Sequence, residues 1–198
     1  VLPNLEEAQV YSPTPENRVR FAAEMTELLD MAVRAVASAR EAVEEADILL
    51  SVTNSNVPTF DGNWLAPGVH LCSIVSSNIG LLRGGFVKQM RREVDDTTLR
   101  RADIIVCNSK EQERLDEPAV LWEPIQQGVI SWDKVWDLKE LLSGKVPGRT
   151  GDRQISFFKN NAFWGVGDQV IGALLYRRAL ERGIGTKLPI DGAEYRER

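Results

Sequence analysis

Short apolar runs alternate with polar, helix-forming stretches along most of the 198 residues, which predicts an α/β protein built on a doubly wound parallel sheet. Two observations sharpen the expectation. ILLSVT (48–53) and VHLCSIV (69–75) are nearly continuous apolar runs, the pattern of strands buried on both faces of a parallel sheet. The stretch from Trp164 to Arg182, closed by Gly183, has the length and spacing of a long C-terminal helix.

The elements follow in order. AQVY (8–11) reads as a first short strand, broken by Ser12-Pro13-Thr14-Pro15, because proline cannot continue a ladder. Thr14 suits a helix cap with Pro15 at the first helical position, and the helix would carry Val19, Ala22, Ala23 and Met25 on one side. VRAV (33–36) is a second strand, and Ser38 caps AREAVEEA. After the two apolar runs, Asp96 or Thr97 opens a helix through TTLRRA. IIVC (104–107) is strand-like and SKEQERLDE is a polar helix. WDKVWDLKELLSG (132–144) has apolar positions at helical spacing and a glycine stop, so it is expected to be helical. KVPGRTGDRQ (145–154) reads as a loop and ISFF (155–158) as the last strand.

Composition narrows the class. A hydrophobic fraction of 43% and a charged fraction of 27% are ordinary globular values. The net charge of -5 is spread over both signs, without a basic stripe, which argues against nucleic acid. No apolar run reaches the roughly 18 residues of a membrane span, and the first residues lack the pattern of a secretory signal. The absence of an initiator methionine suggests a chain that begins inside a larger protein. Cys72 and Cys107 each sit in an apolar run and read as buried free thiols of a reducing, cytoplasmic compartment. With His70 as the single histidine, no metal site is expected.

In parallel sheets of this kind, ligands bind beyond the carboxyl ends of the strands. Attention therefore falls on Ser12 and Thr14, on Thr53, Asn54 and Ser55, on Ser76, Ser77 and Asn78, and on Asn108 and Ser109. Polar residues also follow strands simply because loops are wet. The phosphate device of dinucleotide-binding domains, a G-x-G-x-x-G turn after the first strand, is not found before SPTP. GLLRGG (80–85) lacks that spacing.

Several stretches together resemble the ornithine cyclodeaminase/mu-crystallin family: VYSPTPENRVRFAAEM, SAREAVEEADILLSVTNSNVPTFDGNWLAPGVH, REVDDTTLRRADIIVCNSKEQ, KVPGRTGDRQISFFKNN and ALLYRRALERGIGTKLP. They stand in the family's order and cover nearly the whole chain. The resemblance implies a Rossmann-like NAD- or NADP-binding fold, incomplete at its N-terminus. Residues 1–150 would form the partial nucleotide domain. Residues 151–198 would form a strand and helix returning toward a substrate and dimerisation domain. The glycine turn, most of that second domain and the family's catalytic lysine would come from a missing N-terminal half or a second chain, in a homo- or hetero-oligomer.

By the same resemblance, Ser12 and Thr14 stand where the family meets the adenosine ribose. Their hydroxyls, with Arg18 or Arg20, could receive the extra phosphate of NADP, although SPTP also serves as a plain turn and cap. Thr53, Asn54 and Ser55 would flank the nicotinamide half, the backbone at Val75 would pass the nicotinamide, and Asn160 would lie near the cofactor between Lys159 and Asn161. Lys159 reads equally as a solvated surface charge. Ornithine cyclodeaminases carry an aspartate where this chain has Ser77 or Asn78, and neither can act as a carboxylate base. The expected activity therefore shifts toward an oxidoreductase acting on a small amino, imino or keto acid. The alternatives are a non-catalytic ligand-binding relative and a cyclodeaminase with an altered acid site. No catalytic residue is assigned.

Other candidates divide less sharply. His70 belongs to a PG.H pattern and reads as structural. Asp168 would approach the cofactor or brace the last helix. Arg83, Lys88, Arg91 and Arg92 form a basic cluster that would hold a substrate carboxylate or simply face solvent. The five tryptophans read as packing residues, with Trp164 the one nearest the cofactor edge.

Overall fold

The computed structural model describes residues 4–160 and 166–186. It divides into two compact units, 1–162 and 163–198. Trp164 and Asn161 lie outside the described residues.

In the first unit, β1 (Glu7–Val10) and β2 (Ala32–Ala35) pair in parallel as a two-stranded sheet. Five further strands form a second parallel sheet: β3 (Ile48–Ser51), β4 (His70–Ser73), β5 (Ile104–Cys107), β6 (Val135–Asp137) and β7 (Ser156–Lys159). Their spatial order is β3-β4-β7-β5-β6. The fold is a Rossmann-like parallel α/β architecture, as the alternation of apolar runs predicts.

The helices of this unit are α1 (Pro15–Leu29), α2 (Ala39–Val43), α3 (Ile79–Arg83), α4 (Asp96–Arg101), α5 (Lys110–Asp116), α6 (Trp122–Gln126) and α7 (Leu138–Leu142). Their starts are chemically marked. Pro15 takes the first helical position as anticipated, where proline loses no helix hydrogen bond because that N–H has no intrahelical partner, but the Thr14 side chain at the cap position makes no capping bond. Ser38, Asp95 and Ser109 each accept a backbone N–H from the first turn of α2, α4 and α5. α4 opens at Asp96, as anticipated, with Asp95 as its cap.

Three local expectations change. Residues 132–144 do not form one helix. A single 3-10 turn (Trp132–Lys134) leads into β6, and Asp137 then opens α7 with a capping box to Glu140. Val135 and Trp136 become a strand because β5 offers them a pairing edge, a tertiary gain that outweighs helical spacing. Secondly, β3 is not buried on both faces. It ends the five-stranded sheet, and its side chains alternate, with Leu50 65% exposed while Ser51 is buried. Thirdly, the apolar side of α1 is only partly covered, with Ala22 buried and Val19 59% exposed.

Leu49, Leu71, Phe157, Ile105 and Val135 stand side by side across β3, β4, β7, β5 and β6. All belong to or pack against the central cluster, closed over by Val94, Leu99, Val120 and Leu121. The DGNWLAPGVH segment is pinned to this core. Gly62 N donates to Asp95 Oδ2 at 3.0 Å, and a Cβ on Gly62 would lie 2.4 Å from Thr98 N, so only glycine fits there. Arg101 donates to the carbonyls of Gly62 and Leu65.

The second unit contains α8 (Val166–Glu181), followed by Gly183 at φ 61 in the left-handed region that ends helices. Ile171, Leu175 and Tyr176 are among its exposed apolar side chains. No helix among the described residues is long and apolar enough to cross a membrane.

Leu99 is fully buried, so Leu99→Ala should lower unfolding free energy by about 2–5 kcal/mol in urea titrations. Leu50→Ala, on the open face of β3, should change it by about 0.5 kcal/mol or less.

Candidate functional site

Two residues beyond the apolar row, the same face of the sheet turns polar. The register aligns Ser51, Ser73, Lys159, Cys107 and Asp137 across the five strands. Because side chains alternate with period two, these last strand residues point the same way as the core row beneath them. They form a polar layer at the carboxyl ends of the strands, where the exit segments begin.

Two buried glutamates come over this layer from the connections. Glu93, between α3 and α4, is fully buried. Its carboxylate accepts from Ser73 Oγ at 2.7 Å, from Val75 N at 3.1 Å and from Thr53 N. Its carbonyl accepts from Thr59 N at 2.9 Å. Glu113, on α5, is also fully buried. The Lys159 side chain is 0% exposed and donates from Nζ to the Asn160 carbonyl at 3.2 Å. Burial pushes the Lys159 ammonium below its usual pKa, and the nearby carboxylates of Glu113 and Glu93 pull it back up. The solvated reading of Lys159 is therefore overturned. Its strand register places it between Ser73 and Cys107, inside the fold.

Most of the sequence-predicted positions lie at these strand ends. Thr53 and Asn54 are exposed just after β3, and Thr53 Oγ1 accepts from Ser55 N at 3.2 Å. Ser55 Oγ donates to the Val57 carbonyl at 2.6 Å, and its own carbonyl holds Arg92 N at 2.9 Å. Val75 is buried, with its N–H committed to Glu93. Asn160 follows β7, and its N–H donates to the Ser73 carbonyl at 2.9 Å. At the end of β1, Arg18 Nη1 donates to the Ser12 carbonyl at 2.8 Å, and its guanidinium lies 5.5 Å from the Tyr11 ring centroid. Thr14 is exposed and its carbonyl accepts from Arg18 N. Ser12 and Arg18 are thus brought together.

Ser77 and Asn78 have structural partners. Ser77 Oγ accepts from Ile79 N at 3.2 Å. Asn78 is buried, and its Oδ1 accepts from Arg91 N at 2.8 Å, closing the loop that contains α3. The basic cluster is divided: Arg83 pairs with Glu117 at 2.8 Å, while Arg92 pairs with Asp96. His70 sits at the other end of the sheet, where Nδ1 lies 2.9 Å from Ser156 Oγ. Burial and the Arg149 charge lower its pKa, which fits a structural histidine. Asp168 is exposed on α8. Glu93 and Glu113 were missed by sequence reasoning.

A parallel α/β fold with a polar layer at its strand ends defines a Rossmann-like domain. The chain matches the ornithine cyclodeaminase/mu-crystallin family over residues 1–183, and it belongs to that family. A Delta(1)-pyrroline-2-carboxylate reductase of Bacillus cereus is 30% identical over 186 residues, which are 93% of this chain and 53% of that protein. The ketimine reductase mu-crystallin of Mus musculus is 27% identical, over 73% of this chain and 39% of that protein. The structure of the Thermococcus litoralis Delta(1)-pyrroline-2-carboxylate reductase, solved with NADH and L-proline, superposes with a TM-score of 0.80 and 33% identity. That match covers 93% of this chain and 54% of the other. The chain thus spans about half the length of the pyrroline-2-carboxylate reductases it matches.

Cys107 is the buried thiol within this row, and burial, with Glu113 and Asp137 nearby, pushes it up to about 12 from 9.0. At pH 9 its thiolate fraction should be roughly a thousandth, against half for an unperturbed thiol. Cys72 is buried and raised in the same direction. A disulfide reagent at pH 8–9 should therefore label neither cysteine in the native protein and both after denaturation. Fast native labelling at Cys107 would contradict the packing.

Proposed function

We propose that this chain is the NAD(P)-binding part of an oxidoreductase that reduces a small cyclic or linear imino acid. The observation that carries the reading is the placement of Thr53, Asn54, Val75 and Asn160 around one polar layer at the carboxyl ends of β3, β4 and β7. The relatives named as reductases of pyrroline-2-carboxylate and of ketimines support the substrate class.

The residues present fit part of a dinucleotide. The exposed polar side chains of Thr53 and Asn54 and the end of β7 at Asn160 would hold the nicotinamide half. Ser12, Thr14 and Arg18 would face the adenosine ribose, and the absence of an acid at that strand end favours NADPH over NADH. When bound, the nicotinamide would supply the hydride. This chain's work is to orient that ring and keep its surroundings dry, with Ser73 buried within the polar row and Val75 buried just beyond it.

The pyrophosphate would be met by a segment outside these residues. Among the described residues β1 pairs with β2 alone and β3 with β4 alone. One further parallel strand between β1 and β3 would join the two sheets, and a glycine turn after it would face the phosphates. The same further part would bring the substrate's carboxylate-binding groups and a proton donor.

Cyclodeamination is disfavoured by the site. The amide oxygen of Asn78 is occupied by the Arg91 backbone, and neither Asn78 nor Ser77 can hold a proton as a carboxylate does.

The test uses the full-length protein. Fluorescence titration should show NADPH binding, with a lower Kd than for NADH. A five- or six-membered cyclic imino acid should be reduced with loss of NADPH absorbance, and ornithine should give no ammonia. Binding without turnover across a panel of imino acids would favour a ligand-binding relative. No binding of either dinucleotide at millimolar concentration would refute the proposal.

A further inference from the structure

Glu93 ties together segments that are far apart in sequence. Its carboxylate takes the N–H of Thr53 as the chain leaves β3, the hydroxyl of Ser73 at the end of β4, and the N–H of Val75 just beyond it. Its carbonyl takes both N and Oγ1 of Thr59, at 2.9 and 3.1 Å. One buried side chain therefore sets the spacing between the two strand exits. Next to Ser73 in register lies the buried Lys159, so the negative charge of Glu93 sits beside a positive one. A carboxylate can accept from three donors at once because its two oxygens offer about four lone-pair sites. Neither a neutral amide nor an apolar side chain of similar size can do so.

We infer that Glu93 is a positioning residue for the bound dinucleotide: it holds the backbone of residues 53–55 and 75 at the separation that receives the nicotinamide half. This rests on the function proposed above, which assigns those segments to the cofactor. Both N–H groups that Glu93 engages are withdrawn from ligand contact. The side chains of Thr53 and Asn54, which are exposed, are then left to face the cofactor. Glu93 itself touches neither cofactor nor substrate, and it acts through the loops it fixes.

The experiment compares three variants of the full-length protein with wild type. Glu93→Gln keeps the volume but offers one acceptor oxygen and a competing NH2 group. It should weaken NADPH binding roughly tenfold by fluorescence titration, and KM for NADPH should rise in parallel. At saturating NADPH, kcat should fall by less than about threefold, because the reacting groups are intact. Ser73→Ala, which removes one donor without altering charge, should weaken binding in the same direction by roughly threefold. Leu99→Ala, a core variant, should lower Tm yet leave the NADPH Kd within about twofold of wild type. If Glu93→Gln does not fold, Ser73→Ala against Leu99→Ala decides the matter. An unchanged Kd in the folded Glu93→Gln protein, or equal weakening by Leu99→Ala, would overturn the role of Glu93 alone. A wild-type protein that binds no dinucleotide would overturn the functional reading and this inference with it.

Discussion

The three hydrogen bonds that converge on the buried Glu93 carboxylate hold the end of the sheet in one arrangement. A buried charge is costly unless it is paired and its lone pairs are filled, and removing one partner of such a pair typically costs about 3–5 kcal/mol. Here the filling comes from the exits of two neighbouring strands, and the charge is set near the fully buried Lys159. The exits of β3 and β4 therefore cannot move apart without stranding a carboxylate. Geometry at the strand exits is fixed by an electrostatic requirement in addition to the apolar packing beneath it.

The sheet itself shows how closely core and site are joined. The row Leu49–Leu71–Phe157–Ile105–Val135 is apolar, and the row two residues further on is Ser51–Ser73–Lys159–Cys107–Asp137. The first row is close-packed and resists deformation, so it holds the second row rigidly. Asp137 accepts from Lys110 N at 2.5 Å and Glu113 covers the layer near Lys159, so β5, β6 and α5 take part as well. The same low-dielectric surroundings that raise the Cys107 thiol make these polar contacts strong.

Much of this fold was legible in the residues. Ser38 caps α2 as its chemistry suggests, Pro15 takes the first position of α1, and IIVC forms β5 without shift. The failures share a cause. Val135–Asp137 became a strand because of a partner far off in sequence, and Leu50 is exposed because β3 ends its sheet. Neither fact is written in local spacing. Thr53 and Asn54 are legible as strand-end positions, where ligands meet parallel sheets, whereas Asn160 is singled out only by the family resemblance. Glu93 is not legible, because its three partners lie 40, 20 and 18 residues away. Lys159 left one signal: it follows Phe157 by two, so the alternation that buries the phenylalanine buries the lysine as well.

The central claim is that the exits of β3, β4 and β7 form the nicotinamide side of a dinucleotide site. Hydrogen–deuterium exchange of the full-length protein, with and without saturating NADPH, tests it most directly. Amides in peptides covering 52–56, 74–79 and the end of β7 should gain protection, while those of α4 and α7 should not change. Protection confined to other parts of the chain, with these three segments unaffected, would contradict the account.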